Sequence, residues 1–103
     1  MNDETRVIVV ESGHEYALTV HGLQSAPIQN LTFQNGVVPE VGRNGWQNEE
    51  MLEALIDRMK FLNGKFSCRE NSIVITKLEE ALMWLQKRTA DRVKRGVEGT
   101  HAV

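Results

Sequence analysis

The residue types able to do acid–base, nucleophilic or metal chemistry are few in this chain and poorly placed for it. The three histidines, His14, His21 and His101, fall in an expected turn, an expected strand and the C-terminal tail. None stands at the i, i+4 spacing of a helical ligand pair. Glu79 and Glu80 are neighbours in a helical stretch, so their carboxylates point in different directions and make a poor catalytic pair. Cys68 is the only cysteine, which excludes an intrachain disulfide and a cysteine zinc site. Its expected place is a first helical turn, with no basic partner assigned to activate the thiol. A serine nucleophile elbow, a phosphate-cradling loop and a dinucleotide fingerprint are all missing from the sequence. An enzyme, a metal site and a cofactor are therefore not expected.

Arginine is better placed. Arg88 and Arg92 are four residues apart and share one face of a helix. That helix is expected from Cys68 to Arg95, with Ser67 and Glu70 forming a capping box at its start. Gly96 is the glycine stop, after Lys94 and Arg95 at the negative end of the helix dipole. Its 28 residues span roughly 42 Å at ~1.5 Å per residue. Asn71 lies in the first turn, 17 residues before Arg88, or about 25 Å away along the axis.

A second, shorter helix precedes it. Asn48 is the expected N-cap, Glu49 and Glu50 make an acidic first turn, and Asn63-Gly64 ends it. Met51, Leu52, Leu55, Ile56, Met59 and Leu62 recur at helical spacing, and the Lys65-Phe66 link is short enough to force an antiparallel hairpin. Phe61 then lies near the hairpin tip, on the Asn71 side. Val74, Leu78, Ala81, Leu82 and Leu85 give the long helix an apolar stripe, which the shorter helix covers only in part. The sheet can cover more of it, and the remainder is expected to be buried by a second copy or left exposed at a cost of about 25 cal/mol per Å². In an antiparallel pairing of two long helices, crossing near the small Ala81, the arginines of one copy would lie beside the Phe61/Asn71 end of the other. Two guanidinium forks, an aromatic ring and an amide suit a nucleotide, and a two-fold pairing makes two such sites. The alternative from spacing alone is that Arg88 and Arg92 are surface charges, Phe61 is core and Asn71 is solvated.

Ahead of the hairpin the pattern is that of strands. Arg6–Val10 is a continuous β-branched run, as in a strand covered on both faces or central in a sheet. Ser12-Gly13-His14 is a turn, and Glu15–His21 alternates, making a hairpin with the first strand. Gly22–Pro27 breaks the pattern and Ile28–Phe33 resumes it. Asn35-Gly36 is a turn, Val37-Val38 before Pro39 is a short fourth strand, and Val41–Trp46 is a connector. Residues 1–5 are expected to fray. The fold class is α+β: an N-terminal antiparallel sheet (about residues 6–46) and a C-terminal helical hairpin (48–96) in one domain of 103 residues.

Composition agrees with a globular domain, at 41% apolar and 25% charged residues. The net charge of −2 gives no bulk attraction to nucleic acid or anionic membrane. Charge is nevertheless divided: residues 1–66 carry five basic and nine acidic side chains, and residues 67–103 carry seven and five. The polar start MNDETRVIVV is unlike a secretory leader, and no apolar run nears the ~20 residues that span a bilayer. A soluble protein of a reducing compartment is expected. A basic-helix adaptor for DNA or RNA, using the Lys87–Arg95 face, is the competing class and would show steep salt dependence.

TKLEEALMWLQKRTADRVKRGVEGT (Thr76–Thr100), preceded by NGKFSCRENSI (Asn63–Ile73), resembles the phage Thoeris anti-defence proteins. These are small sponges that sequester the cyclic ADP-ribose-type signal of bacterial TIR-domain enzymes. The hairpin, with its KLEEALMW core, is also similar to that of the phage anti-CBASS cyclic-oligonucleotide sponges. The likeness is strongest over residues 40–100, including the VGRNG connector at Val41–Gly45, and weaker over residues 1–39. It implies dimers that assemble to hexamers, pockets between protomers, and capture without chemistry in the cytoplasm of the infected host. Phe61, Asn71, Arg88 and Arg92 match the family's pocket pattern. The aromatic ring and one arginine would sandwich adenine, and the other groups would hold ribose and phosphates. Arg6 and Arg43 are further candidates, because the family also uses N-terminal basic residues. Some relatives add a second pocket for cyclic trinucleotides.

Overall fold

A computed structural model describes residues 5–20 and 28–103. The expected break over Gly22–Pro27, His21, and residues 1–4 of the expected frayed end lie outside the described residues, whereas Thr5, the last residue of that end, belongs to a strand. The chain divides into two compact units, Met1–Trp46 and Gln47–Val103. The class is α+β, with an antiparallel sheet followed by helices.

In the first unit, β1 (Thr5–Glu11), β2 (Glu15–Val20) and β3 (Gln29–Thr32) form an antiparallel sheet in the order β1-β2-β3. The register pairs Ile8 with Ala17 and Val9 with Tyr16, then shifts between Val9 and Glu11. That bulge leaves Val10 without a directly opposed residue and sharpens the local twist. Gly13 closes the hairpin at φ 82°, and the His14 N–H donates to the Glu11 carbonyl at 2.9 Å. Ala17 is buried, and Tyr16 meets Phe33 edge-on with centroids 5.7 Å apart.

The expectation of a covered or central first strand is not met within the chain. β1 is an edge strand, with Val7, Ile8, Val9 and Val10 all 42–66% exposed. A continuous apolar run marks a surface to be covered without saying which chain covers it.

After β3 the chain crosses back on itself. Phe33 bridges Trp46 in parallel, the Trp46 N–H donates to Thr32 O at 2.9 Å, and the Gln34 N–H donates to Trp46 O at 2.8 Å. The loop between is fastened by side-chain amides. Gln34 Nε2 donates to Gly42 O at 2.7 Å, and Gln34 Oε1 accepts the Asn44 N–H at 3.0 Å. Asn44 in turn brackets the Asn35 backbone, with both bonds at 2.8 Å.

The expected fourth strand at Val37-Val38 is instead the start of a one-turn helix, α1 (Val38–Val41). Pro39 falls in its first turn, where a missing N–H and a fixed φ are tolerated. Gly45 has no room for a side chain: a Cβ would lie 2.6 Å from Thr32 O and from the Phe33 carbonyl carbon. Gly45→Ala is therefore expected to force the crossing apart and to destabilise this unit by about 2 kcal/mol. Denaturant unfolding followed at Trp46 measures it, and an unchanged midpoint would contradict the close approach.

The second unit is a helical hairpin of α2 (Asn48–Lys65) and α3 (Arg69–Arg95). Contacts between Asn63 and Ser72, Lys60 and Glu79, and Glu49 and Thr89 run oppositely along the two helices, as an antiparallel pair requires. Three sequence boundaries move by one or two residues, each for a visible reason. Gln47, not Asn48, caps α2, because the Glu50 carboxylate reaches back to the Gln47 N–H at 2.9 Å. The helix continues through Gly64 to Lys65 because Asn63 is occupied in the turn. Its Oδ1 accepts the Cys68 N–H at 3.1 Å, and its Nδ2 donates to Ser72 Oγ at 3.3 Å.

The Ser67/Glu70 capping box is replaced by Cys68 as N-cap, whose Sγ accepts the Asn71 N–H at 3.5 Å. At the far end Gly96 is left-handed at φ 74°, and Gly96 and Val97 N–H groups donate to Val93 and Arg92 carbonyls at 3.0 Å. This is a Schellman stop.

Ile56 is the one buried apolar residue of the hairpin among the described residues. Leu55, Phe61, Phe66, Val74, Met83, Trp84 and Val93 remain exposed among the described residues. Among the described residues no helix is long and apolar enough to cross a membrane.

Candidate functional site

The hairpin places the expected site residues at its two ends. At the tip, Phe61 is 59% exposed on the last turns of α2, and the Lys65 ammonium stands 4.8 Å from its ring centroid. Asn71, one turn into α3, is half-buried. Its backbone N–H is taken by Cys68 Sγ and its Nδ2 donates to the Phe66 carbonyl at 3.3 Å. The amide is thus held by the turn, and its carbonyl oxygen has no hydrogen bond among the described residues. Phe61, Lys65 and Asn71 cluster around one tight turn because Asn63 pins Cys68 and Ser72 against the end of α2.

At the other end of α3 the two arginines differ. Arg88 is exposed and has no hydrogen bond or ion pair among the described residues. Arg92 is only 4% exposed. Its guanidinium is encircled by the segment that follows the helix: NH2 donates to Val97 O at 3.0 Å and to Thr100 O at 3.2 Å, and NH1 donates to Ala102 O. Glu98 Oε1 stands 3.6 Å from Nε, an ion pair beyond hydrogen-bond distance. Arg95 makes a lesser version of the same arrangement, with Asp91 at 3.3 Å and Val103 O at 2.9 Å. One open fork and one tail-bound fork therefore stand where two open forks were expected. The missed signal is a run of backbone carbonyls, which residue spacing does not reveal.

Seventeen residues separate Asn71 from Arg88 on one uninterrupted helix, about 25 Å. The structure does not bring the tip and the arginine end together within one chain. Arg43 lies in the other unit, on the fastened loop, where its NH2 donates to Gly45 O at 3.2 Å. Arg6 is in β1 opposite Thr19, and its side chain lies outside what is described.

A shallow cleft between α2 and α3, lined by Glu53, Ile56, Asp57, Lys60, Glu79 and Leu82, shares no residue with this set. Three carboxylates make it unsuited to phosphate, and Glu79 is already paired with Lys60 at 3.2 Å. Among the described residues no group of three or more His, Cys, Asp or Glu could hold a metal ion.

A small antiparallel sheet followed by a two-helix hairpin, with an aromatic-amide tip and a basic far end, is the architecture to be compared with known families. The family described as Acb2/Tad1, hairpin domain, matches residues 28–90, and the chain belongs to that family. It is 56% identical over 75 residues to Thoeris anti-defense 1 of Bacillus phage SBSphiJ7, an overlap covering 72% of this chain and 53% of that protein. The chain thus spans about half the length of that relative. The family match takes in Phe61, Asn71 and Arg88 and stops two residues before Arg92.

Proposed function

We propose that this chain is a phage anti-defence sponge. It binds and sequesters a cyclic ADP-ribose-type signalling nucleotide made by bacterial TIR enzymes in the infected cell's cytoplasm, and leaves the ligand's bonds intact. The observation that carries this reading is the 56% identity to a Thoeris anti-defense protein, which joins a hairpin whose polar groups suit nucleotide binding and not catalysis.

The pocket is shared between copies. Phe61 and Asn71 at the tip of one hairpin meet Arg88 and Arg92 of a second, in a two-fold dimer that assembles further to a hexamer. Phe61 stacks the adenine, Asn71 offers its free carbonyl oxygen to a base or ribose edge, and Arg88 forks onto phosphate. Arg92 contributes next to Arg88, with its guanidinium shaped by the tail carbonyls, and Arg43 and Arg6 supply N-terminal charge. Exposed Val74, Met83 and Trp84 support the pairing, because covering them contributes at about 25 cal/mol per Å². Since the family description joins Acb2 and Tad1, cyclic di- or trinucleotides are the second ligand class to test.

Capture without chemistry has a direct consequence. Heating a purified protein–nucleotide complex is expected to release the nucleotide with its original mass and chromatographic retention. Recovery of a hydrolysed product would instead make the protein an enzyme. A gel shift with DNA or RNA at low salt is expected to be blank, and a salt-sensitive shift would favour the basic-helix adaptor.

A further inference from the structure

Lys65 is the last residue of α2, one helical turn beyond Phe61, and its ammonium rests over the Phe61 ring at 4.8 Å from the centroid. Two other cations of the hairpin are held by carboxylates: Lys60 is paired with Glu79, and Arg95 with Asp91. Lys65 has no carboxylate partner among the described residues, and its one recorded contact is with the ring.

An exposed cation–π contact is a weak hold. A lysine on a flexible four-carbon stem exchanges it readily for an anionic oxygen. The ring that holds Lys65 is the platform assigned to the base, and a nucleotide that stacks there brings phosphates with it. Base and phosphate then arrive together at a pair of side chains four residues apart on one helix face.

We propose that Lys65 is a phosphate-binding residue of the nucleotide site. Its ammonium lies on the Phe61 ring and turns to a ligand phosphate when the base stacks on that ring. Lys65 thereby brings positive charge to the tip, the end away from Arg88 and Arg92. The inference rests on the sponge reading.

The test compares wild type, Lys65→Met and Lys65→Arg in titrations with purified cyclic ADP-ribose isomers at low and high sodium chloride. Methionine keeps an apolar stem beside the ring and removes the charge. Lys65→Met is expected to weaken binding roughly tenfold at low salt, shrinking to about threefold or less at high salt, as screening removes the lost ion pair's share. Lys65→Arg is expected to stay within about threefold of wild type, because it keeps the charge. A loss that is equal at both salts would mean that Lys65 only supports the ring, and no loss would make it a bystander; either outcome overturns the role. Wild type that binds none of the isomers would overturn the sponge reading and Lys65's role with it, whereas tight wild-type binding with Lys65→Met unaffected would overturn Lys65's role alone.

Discussion

Replacing Arg88 by alanine is expected to weaken nucleotide capture about a hundredfold while leaving fold and assembly unchanged. Arg88 is exposed and makes no hydrogen bond or ion pair among the described residues, so its removal leaves no group of its own chain unpaired. Its guanidinium is free to make a two-pronged contact with phosphate, and charge-assisted hydrogen bonds are the stronger kind. Losing the fork costs about 3 kcal/mol, which is roughly two orders of magnitude in Kd. A ligand titration together with light-scattering mass separates the two effects. Wild-type affinity in the variant would remove Arg88 from the site.

Arg92→Ala is expected to act on two levels. Its guanidinium, 4% exposed, gathers the carbonyls of Val97, Thr100 and Ala102 and faces Glu98. Without it those carbonyls turn to water, and the last residues keep the Arg95–Val103 contact to the end of α3 but lose those to Arg92. Amide exchange over residues 97–103 should accelerate by an order of magnitude or more, since net contributions of about 1 kcal/mol per bond are lost. Capture should fall as well. Arg88→Ala should leave that exchange pattern untouched, so the two variants distinguish a bare phosphate contact from one built on the tail. Unchanged exchange in Arg92→Ala would show that the tail is held by something other than this guanidinium.

The contrast between these arginines also marks how far the sequence could be read. Their i, i+4 spacing put them on one face, and Gly96 located the end of the helix that carries them. That Arg92 is turned into its own tail depends on carbonyls at Val97, Thr100 and Ala102, and every residue type offers a carbonyl. The same holds at the helix starts. Ser67 has the commoner capping side chain, yet Asn63 fixes the Cys68 N–H and so makes the thiol the cap. Pro39 fits the end of a strand, but a first-turn proline serves a one-turn helix as well. The strands β1, β2 and β3 and the hairpin were legible because periodicity and turn residues are local. The exposure of β1 was not, because apolar pattern reports the need for burial and is silent about the partner. Lys65 stood in the sequence only as part of a short link, although its spacing from Phe61 was the available signal.

The proposed site depends on the pairing of two copies. A rigid α3 keeps Asn71 and Arg88 about 25 Å apart in one chain, so the Phe61/Asn71 tip and the arginine end serve one ligand only across an interface. Mixing variants measures this directly. Arg88→Ala and Asn71→Trp chains are each expected to capture little nucleotide at concentrations that only just saturate wild type. Co-expressed, they form mixed dimers with one doubly altered pocket and one intact pocket. Random pairing then returns about a quarter of the wild-type binding capacity at wild-type affinity. No recovery from the mixture, with both variants still dimeric, would contradict a pocket shared between two copies of the chain.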